Sequence, residues 1–483
     1  MNLQKILKEN YLIILILIFY TFLSFFRLGF NSLQSFDEAW YGSIARDLLK
    51  RPDFLKLTYN TKLFNDHPPL IIWLMALSYK IFGISEFSTR LVSALSGVLS
   101  VTLIYLIGKK LFNKYVGLSA SLMLCSSLWF ILRTRSGNLD IPFLVFYLLT
   151  IYLAILAAKE NKFLPWTFVS FACLILAKTL VGFSALVLII FQTYPLFLKF
   201  KQNKIIIYLS LLSFILLIAP WYLYNIALSP GFLKHYFLEI GLRGGTNLSF
   251  DFSKQFLYLR SGIGKWYSVF FTSLLSIVLL FKKFKDKNFI FICLWIGLIA
   301  LPFFINAKTE VWHLIPFYPL IFLLSSFLLY EFGKKLTKIF LRLLPSLCRD
   351  RNDTILNYYN FIYISLIALI AFYQLYQSFN LVIPQSNYFD DEADISSKAS
   401  KYGDKIYLDD VFLPEAVFYS NRFIVSFGFD LNSLEKSLNV LEKETNPILI
   451  IKKQDLELFG KNLPIKILDK NNSYYVITKE KNE

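Results

Sequence analysis

The sequence predicts a mainly α-helical protein that crosses a membrane many times and ends in a small α/β domain. Of its 483 residues, 56% are hydrophobic and 18% are aromatic, and the mean hydropathy is +0.53. A soluble chain of this length has too little interior to hide so much apolar surface. Apolar runs such as Tyr11–Phe30 and Ile205–Ile226 reach the roughly 20 residues that a helix needs to cross a bilayer.

Runs of this kind predict a helical bundle of about eleven spans. They lie near residues 11–30, 89–107, 115–133, 141–158, 163–177, 181–198, 205–227, 265–281, 288–305, 311–330 and 355–380. The apolar segment Pro69–Phe82 has only about 14 residues, a length that favours a helix lying in the membrane interface over a span. Residues 31–88 are therefore predicted to form one long external loop.

Basic residues predict the orientation of this bundle. With a cytoplasmic N-terminus, every predicted inner loop is basic, as the positive-inside rule requires. The inner-loop residues are Lys109, Lys110, Lys114, Lys159, Lys162, Lys199, Lys201, Lys204, Lys282, Lys283, Lys285, Lys287, Lys334, Lys335, Lys338, Arg342, Arg349 and Arg351. These loops account for much of the net charge of +17, so we expect no nucleic-acid partner. We expect a multi-pass protein of the inner (plasma) membrane, surrounded by membrane lipids.

The composition changes after residue 383, which predicts two domains. Residues 1–383 form a transmembrane catalytic domain, and residues 384–483 form a soluble extracytoplasmic α/β domain. Its predicted strands are Lys405–Leu408, Phe423–Phe427, Ile448–Lys452, Ile465–Leu468 and Tyr474–Thr478, and its predicted helices are Leu434–Lys443 and Gln454–Phe459. The four cysteines show no metal-binding or redox spacing and are interpreted as packing residues.

Acidic residues near the predicted outer ends of spans form a candidate catalytic site. Asp37 and Glu38 open the external loop directly after the first span, and Asp140 lies between the third and fourth spans, near Arg133. The predicted topology places Asp37 and Asp140 on the same face of the membrane. Each has a structural alternative as the N-cap of the helix that follows, because Asp is a favoured residue at that position.

Histidine and basic side chains on the same face are candidates for binding an anion. His67 precedes two prolines and could donate to a phosphate or titrate, although a solvated loop residue is an equal alternative. Lys178 interrupts a long apolar run, which marks the point where the chain reaches the outer surface; its alternative is snorkelling. Further cations on this face are Arg243, Arg260, Lys265 and Lys308.

The order of these motifs resembles a known family. The sequence contains, in order, Asp37-Glu38, a helix, Pro68-Pro69-Leu70, Asn138-Leu139-Asp140, Ala177-Lys178 and the segment Lys308–Pro319. This succession resembles the GT-C membrane glycosyltransferases of the protein O-mannosyltransferase type, and most of all bacterial enzymes like the lipid A aminoarabinose transferase. The resemblance covers roughly residues 1–330.

The resemblance implies a polyprenyl-phosphate sugar donor and an active site on the outer face. It makes Asp37 the acid that matters most and Asp140 the second. His67 stands where family members often have a lysine thought to touch the donor phosphate, and a neutral histidine is a weaker anion ligand. His313 stands where a tyrosine is common, and Arg243, before Gly244-Gly245, fits a family position loosely.

The residues suggest how sugar transfer would proceed. The sequence contains no nucleotide-binding fingerprint, and a lipid phosphate is already a good leaving group, so one base and several cations are enough. We expect Asp37 to act as general base in a single displacement that inverts the anomeric centre, with Glu38 and Asp140 orienting the acceptor or raising the basicity of Asp37. Lys308, Arg243 and Lys178 would stabilise the departing phosphate, with His67 and His313 as further donor-binding candidates.

Several alternatives remain open from the sequence. No cofactor is expected to be required, but a divalent cation bridging Asp37 and Asp140 is possible because hard cations favour carboxylate oxygens. The main rival function is a transporter or lipid flippase, although the notable charges lie at span ends and no two halves match. A non-catalytic envelope scaffold and an oligosaccharyltransferase are further alternatives. The acceptor is predicted only as a glycolipid such as lipid A, another glycan or a protein hydroxyl.

Overall fold

A computed structural model shows a long helical bundle with a small mixed sheet at its C-terminal end. It describes residues 3–51, 53–178, 180–241, 252–275, 286–304, 310–343, 352–428, 430, 432–458 and 465–480. Within these residues, six helices are long and apolar enough to cross a membrane, and a seventh span results if one bent helix pair is counted. The mainly α-helical fold with a C-terminal sheet is therefore confirmed.

The first part of the chain is almost entirely helical. Its elements are α1 (Leu3–Phe25), α2 (Asp37–Leu49), β1 (Thr58–Tyr59), β2 (Lys62–Leu63), α3 (Leu70–Phe82), α4 (Glu86–Leu111), α5 (Lys114–Cys125), α6 (Leu128–Thr134), α7 (Asp140–Ala157), α8 (Leu164–Ala177), α9 (Ser184–Leu198), α10 (Phe200–Leu228), α11 (Phe252–Ile263), α12 (Trp266–Leu274), α13 (Lys287–Phe304), α14 (Tyr318–Leu343) and α15 (Asn352–Val382). A π-helical segment, Lys234–Gly241, follows α10, and a 3₁₀ segment, Val311–Phe317, precedes α14.

Helices lie at each of the eleven predicted spans, although the last residues of the span at 265–281 fall outside the described residues. Several of these helices are shorter than a full span, among them Asn161–Ala177 and Lys287–Ala300. The segment predicted to lie in the interface forms α3, whose 13 residues reach only about 20 Å at the usual helical rise. Its interfacial position remains a prediction.

The span predicted at 115–133 is not one straight helix. It breaks between α5 and α6, and the two pieces are bent by 70°. Ser126 and Ser127 stand at the break, and their hydroxyls bond to the carbonyls of Leu122 and Met123, a local competition that weakens continuous helix. The side-chain amide of Gln374 in α15 donates to the Ser126 carbonyl at 2.6 Å, and this hydrogen bond holds the bend in place.

Residues 31–88 pack as a small unit of their own, which we call the external region after its predicted position. Its core joins α2 and α3 through buried side chains such as Tyr41, Ile44, Met75 and Tyr79. A capping box of Ser85 and Ser88 then starts α4. This packing fixes α2, and with it the first pair of acids, against the N-terminal end of α4.

The C-terminal part is a small α/β domain, as predicted. Its elements are α16 (Asp391–Ala399), β3 (Lys405–Leu408), α17 (Leu413–Ser420), β4 (Phe423–Ser426), α18 (Ser433–Lys443), β5 (Ile448–Lys452), α19 (Lys453–Leu458), β6 (Ile465–Lys470) and β7 (Tyr474–Lys479). The sheet order is β4-β3-β5-β7-β6, with β3 parallel to both neighbours and β7 antiparallel to β5 and β6. All five predicted strands are present.

The C-terminal domain is docked onto the external region. The Phe418 ring of α17 enters the core between α2 and α3, against Gly42, where an added Cβ would lie 3.1 Å from the ring. Arg46 of α2 donates to the carbonyls of Val417 and Phe418. The Tyr419 hydroxyl accepts from the Leu33 amide at 2.7 Å. One face of α2 is therefore covered by residues more than 370 positions further along the chain.

Candidate active site

Asp37 begins α2 without capping it. The residue before it, Phe36, has φ of +74°, a conformation that side-chain-bearing residues rarely adopt, and α2 has no side-chain cap at its N-terminus. Instead, Oδ2 of Asp37 accepts a short hydrogen bond from Nη2 of Arg133. The N-cap alternative for Asp37 is therefore not what the structure shows.

Asp140 likewise does not cap the helix that it begins. The Asn138 side chain does so, accepting from the amides of Asp140 at 2.9 Å and Ile141 at 3.1 Å. The Asp140 carboxylate is thus available for other partners. Its Oδ2 accepts from Nη2 of Arg133 at 2.7 Å, and its Oδ1 accepts from the Lys178 ammonium.

Arg133 joins the two acids. It lies in the last turn of α6, and the bend between α5 and α6 directs that short helix to the end of the bundle where α2 and α7 begin. Its guanidinium also lies 5.5 Å from the Trp312 ring centroid. We call the series Asp37, Arg133, Asp140 and Lys178 the ion-pair chain. Arg133 thus brings the carboxylates of Asp37 and Asp140 together at one end of the bundle.

The two acids of the ion-pair chain differ in exposure. The Asp140 side chain is 5% exposed and has two cationic partners, whereas the Asp37 side chain is 28% exposed and has one. Among the residues that the structure describes, Oδ1 of Asp37 accepts no hydrogen bond. Asp37 is therefore the accessible acid of the ion-pair chain, and Asp140 is its buried acid.

Glu38 points away from this chain and makes a second, separate ion pair. Its carboxylate accepts from Nε and Nη2 of Arg90 at 2.8 and 2.9 Å, from the Gly137 amide at 2.7 Å and from the Gln34 amide at 3.0 Å. Burial by itself raises the pKa of Glu38, but the charge and hydrogen bonds of Arg90 outweigh it and hold the pKa below its ordinary value. Glu38 thus ties the Asp37 loop to the segment that leads into Asp140.

The structure describes three of the five predicted donor-binding residues, namely His67, His313 and Lys178. The His67 ring lies edge-on to Tyr41, with ring centroids 5.9 Å apart. His313 lies in the 3₁₀ segment beside Trp312, and its Nδ1 accepts from the Glu310 amide at 2.9 Å. Lys178 belongs to the ion-pair chain. Arg243 and Lys308 lie outside the described residues.

The third histidine of the chain makes contacts that the sequence did not suggest. Nε2 of His235 lies 2.7 Å from Asp66, and its Nδ1 lies 2.9 Å from Glu239. These two hydrogen bonds raise the pKa of His235. The π-helical segment after α10 is thereby linked to the loop that carries His67.

Asp37 and Asp140 are the predicted ligands of a bridging divalent cation. Across the described ranges, no three His, Cys, Asp or Glu side chains are grouped closely enough to hold a metal ion. Between Asp37 and Asp140, the bridging position belongs to the guanidinium of Arg133. The donor set at this point is therefore two carboxylates that already share a cation.

A polar cavity and an apolar groove adjoin the ion-pair chain. The cavity, about 460 Å³, has four arginines and two acids among its lining residues, which are Arg27, Arg90, Arg133, Arg135, Glu38 and Asp390. The groove, about 380 Å³, lies between α1 and α15 and has an almost wholly apolar lining that includes Phe22 and Phe379. Val382 lines both, so the groove leads from the lipid-facing surface of the bundle to the arginines.

Two of the residues that build the site were not among the predicted site residues. The sequence places Arg133 near Asp140 without indicating a role for it, and it indicates no role for Arg90. Arg90 had one sequence signal, since a charge in the first turn of an apolar span implies a partner at the membrane boundary. Nothing in the sequence identified Glu38 as that partner.

The chain is similar in sequence to several known proteins. A family model described as dolichyl-phosphate-mannose-protein mannosyltransferase matches residues 66–224. An uncharacterized protein of Aquifex aeolicus is 27% identical over 65% of this chain and 63% of its own length. The undecaprenyl phosphate-alpha-4-amino-4-deoxy-L-arabinose arabinosyl transferase of Pseudomonas savastanoi is 28% identical over 45% of this chain and 42% of its own length. The alignments thus span less than two thirds of these relatives.

Solved structures extend the likeness to the whole chain. ArnT from Cupriavidus metallidurans bound to undecaprenyl phosphate has a TM-score of 0.72 at 15% identity and covers 97% of this chain and 98% of its own. The Archaeoglobus fulgidus oligosaccharyltransferase has a TM-score of 0.59 at 11% identity, covering 92% of this chain and 70% of its own. The described helices are those of a multi-pass membrane protein. The chain shares its fold with these solved structures and is similar over residues 66–224 to the mannosyltransferase family model.

Proposed function

We propose that this protein is a glycosyltransferase that moves a sugar from a polyprenyl-phosphate donor to a hydroxyl group of an envelope glycolipid, a glycan or a protein. The observation that carries the proposal is the ion-pair chain, in which a partly exposed Asp37 is held beside a buried, doubly paired Asp140. The relatives named undecaprenyl phosphate-alpha-4-amino-4-deoxy-L-arabinose arabinosyl transferases support this donor class and a pentosyl sugar. The mannosyltransferase family model supports a hexosyl sugar as the alternative.

Asp37 is the general base of the proposed reaction. Arg133 holds its Oδ2, which leaves Oδ1 directed at the acceptor hydroxyl. As the acceptor oxygen attacks the anomeric carbon, its proton passes to Asp37 and the bond from that carbon to the phosphate oxygen breaks. The electron pair leaves with the polyprenyl phosphate, and the single displacement inverts the anomeric centre.

Cations near Asp140 stabilise the departing phosphate. Lys178 reaches the end of the ion-pair chain with its side chain 21% exposed, so its ammonium can serve both Asp140 and an incoming anion. Arg243 and Lys308 are assigned the same role from their sequence positions, and His67 and His313 are further ligands for the donor.

The cavity and groove beside Arg133 support a substrate that arrives from the membrane. An amphiphile with an apolar chain and an anionic head has the same succession of polarity as the groove and the arginine-lined cavity. A nucleotide-linked sugar has no chain to fill such a groove. The pair of spaces therefore favours a lipid-linked donor.

The orientation follows from the basic loops. With a cytoplasmic N-terminus, the ion-pair chain and the C-terminal domain both face outward. Residues 1–383 then carry the chemistry, and residues 384–483 support the external region through α17. Labelling of single introduced cysteines with a membrane-impermeant reagent checks this arrangement, and access to position 110 from outside would contradict it.

The test of the proposed function replaces Asp37 with Asn and measures sugar transfer in membranes. Loss of the base predicts a decrease in turnover on the order of 10²–10⁴-fold. Asp47→Asn, on the same helix but paired with Arg46 at its far end, is the matched control and should retain activity. Near-normal turnover of the Asp37→Asn variant would exclude the base role.

Two further measurements separate the alternatives. An enzyme releases polyprenyl phosphate only when acceptor is added, whereas a flippase or a scaffold releases none. Treatment with EDTA tests the divalent cation. Because Arg133 already bridges Asp37 and Asp140, we expect transfer to continue after chelation, and loss of transfer restored by added metal would establish the metal-dependent version.

A further inference from the structure

A second cavity lies at the end of the bundle opposite the ion-pair chain. It measures about 390 Å³ and is bounded by α1, α5 and α15. These helices line it through their N-terminal halves, at Asn10, Lys114 and Asn357, whereas the C-terminal ends of α1 and α15 lie beside the arginine-lined cavity. With the proposed orientation, this cavity is at the level of the inner-leaflet headgroups.

The lining of the cavity changes from polar to apolar in the same direction on all three helices. Each helix contributes a polar side chain near the end of the bundle and an aliphatic side chain one turn deeper, about 5 Å along the axis. The pairs are Asn10 and Ile13, Lys114 and Leu118, and Asn360 and Ile364. An amphiphile that stands upright in a leaflet has the same gradient, from headgroup to acyl chain.

The polar end of the cavity is cationic. No acidic residue is among its lining residues. Lys114 is exposed, lies 5.0 Å from the Tyr115 ring centroid and makes no ion pair within the described part of the chain. Lys109 donates at 3.2 Å to Asn10, another of the lining residues. A phosphodiester matches a polar end that offers these two ammonium groups and no acidic side chain.

The acyl end of the cavity lies in a cleft between two helices. α1 packs mainly against α4 and α5, and α15 packs against α5, α14 and α6, so the space between α1 and α15 is left to be filled from the membrane. Exposed apolar side chains line α15 along this length, including Phe361 at 71% exposure. A lipid chain seated here contacts both helices at once.

We propose that this cavity binds one anionic diacyl phospholipid of the inner leaflet. Its phosphate lies between Lys114 and Lys109, its glycerol and ester oxygens meet the Asn10 and Asn360 side chains, and one acyl chain follows Ile364 into the cleft. The lipid joins α1 to α15, whose opposite ends line the arginine-lined cavity. The site is separate from the sugar-transfer site, so it does not depend on the proposed function.

Lipid titration of the purified full chain, followed by native mass spectrometry, tests the proposal. The probes are phosphatidylglycerol and phosphatidylcholine with identical oleoyl chains. We expect one phosphatidylglycerol to bind at least fivefold more tightly than phosphatidylcholine. Lys114→Gln should remove that preference, while Lys201→Gln, an exposed lysine at the start of α10 away from the cavity, should keep it.

A second variant tests the acyl end of the site. Ile364→Trp fills the cleft and should weaken binding of both lipids at least fivefold, whereas Leu369→Trp, on the same helix at a lipid-facing position 65% exposed, should not. Equal affinity for the two lipids, or equal losses in the Lys114 and Lys201 variants, would overturn the proposal in favour of general surface attraction. Unchanged lipid binding by the Ile364→Trp variant would show that the acyl chain does not occupy the cleft and would also overturn the proposal.

Discussion

The buried pair of Glu38 and Arg90 gives the sharpest prediction, made with the substitution Glu38→Gln. The carboxylate accepts four hydrogen bonds, two from Arg90 and one each from the amides of Gln34 and Gly137. A glutamine has the same size but only one acceptor oxygen. Its NH₂ group would therefore oppose the N–H donors that now bind the second oxygen of Glu38, and the charge of Arg90 would lose its partner. Breaking a buried pair in this way costs about 3–5 kcal/mol of stability.

Thermal unfolding of the purified protein, followed by intrinsic tryptophan fluorescence, measures this cost. We expect a clear decrease in the unfolding midpoint for Glu38→Gln. Glu160→Gln removes a carboxylate of similar type whose partner is the exposed Lys162, and it should leave the midpoint unchanged. An unchanged midpoint together with complete loss of sugar transfer would refute the anchoring role of Glu38 and assign it to the chemistry instead.

The pH dependence of the same pair has a defined sign. Because the folded-state pKa of Glu38 is depressed, its stabilising contribution is fully present above the unfolded-state pKa of about 4.3 and is lost as the pH falls through the lower folded-state pKa. Acid unfolding of the Glu38→Gln variant should therefore begin from lower stability and show a weaker pH dependence in that range.

Three further predictions concern other contacts. Phe418→Ala removes the ring that joins α17 to the external region and should cost about 3–5 kcal/mol, measured as an earlier unfolding midpoint and faster proteolysis of the C-terminal domain. The raised pKa of His235 means that its link to Asp66 is fully present below about pH 6.5 and is lost as the pH rises through the folded-state value. The protection factors of amides near residue 66, corrected for the intrinsic pH dependence of hydrogen exchange, should therefore decrease with rising pH in the wild type and stay constant in His235→Asn. Lys178→Gln leaves Asp140 with one cation and should lower turnover on the order of 10²-fold with acceptor KM little changed; an unaltered turnover contradicts the role in leaving-group stabilisation.

The helices of the bundle were predictable because a membrane imposes a simple code of length and hydropathy on them. The number of spans between Asp37 and Asp140 also placed the two acids on the same side of the membrane. Every predicted inner loop is basic only if Pro69–Phe82 does not cross the membrane. The bend at Ser126 was not predictable in the same way. Serine is tolerated in apolar helices, and the bend depends on Gln374, which is 248 residues away in sequence.

The partners of the site residues were harder to predict than the residues themselves. The N-cap alternatives for Asp37 and Asp140 were reasonable from local sequence, and only the position of Arg133 shows that both carboxylates are used otherwise. Local spacing could not reveal the pairing of Glu38 with Arg90, because the two residues are 52 positions apart and meet through tertiary packing. The strands of the C-terminal domain were predicted well, but its docking through α17 was not.

The covering of α2 by α17 has a consequence for how the protein is made. The helix that begins with Asp37 is synthesised more than 370 residues before its final neighbours, Val417 and Phe418. The external region must therefore wait, with part of its apolar surface open, until α17 has been synthesised and has reached the same side of the membrane. A chain cut short before α17 would leave this surface of α2 uncovered, which makes synthesis of α17 a requirement for a finished site.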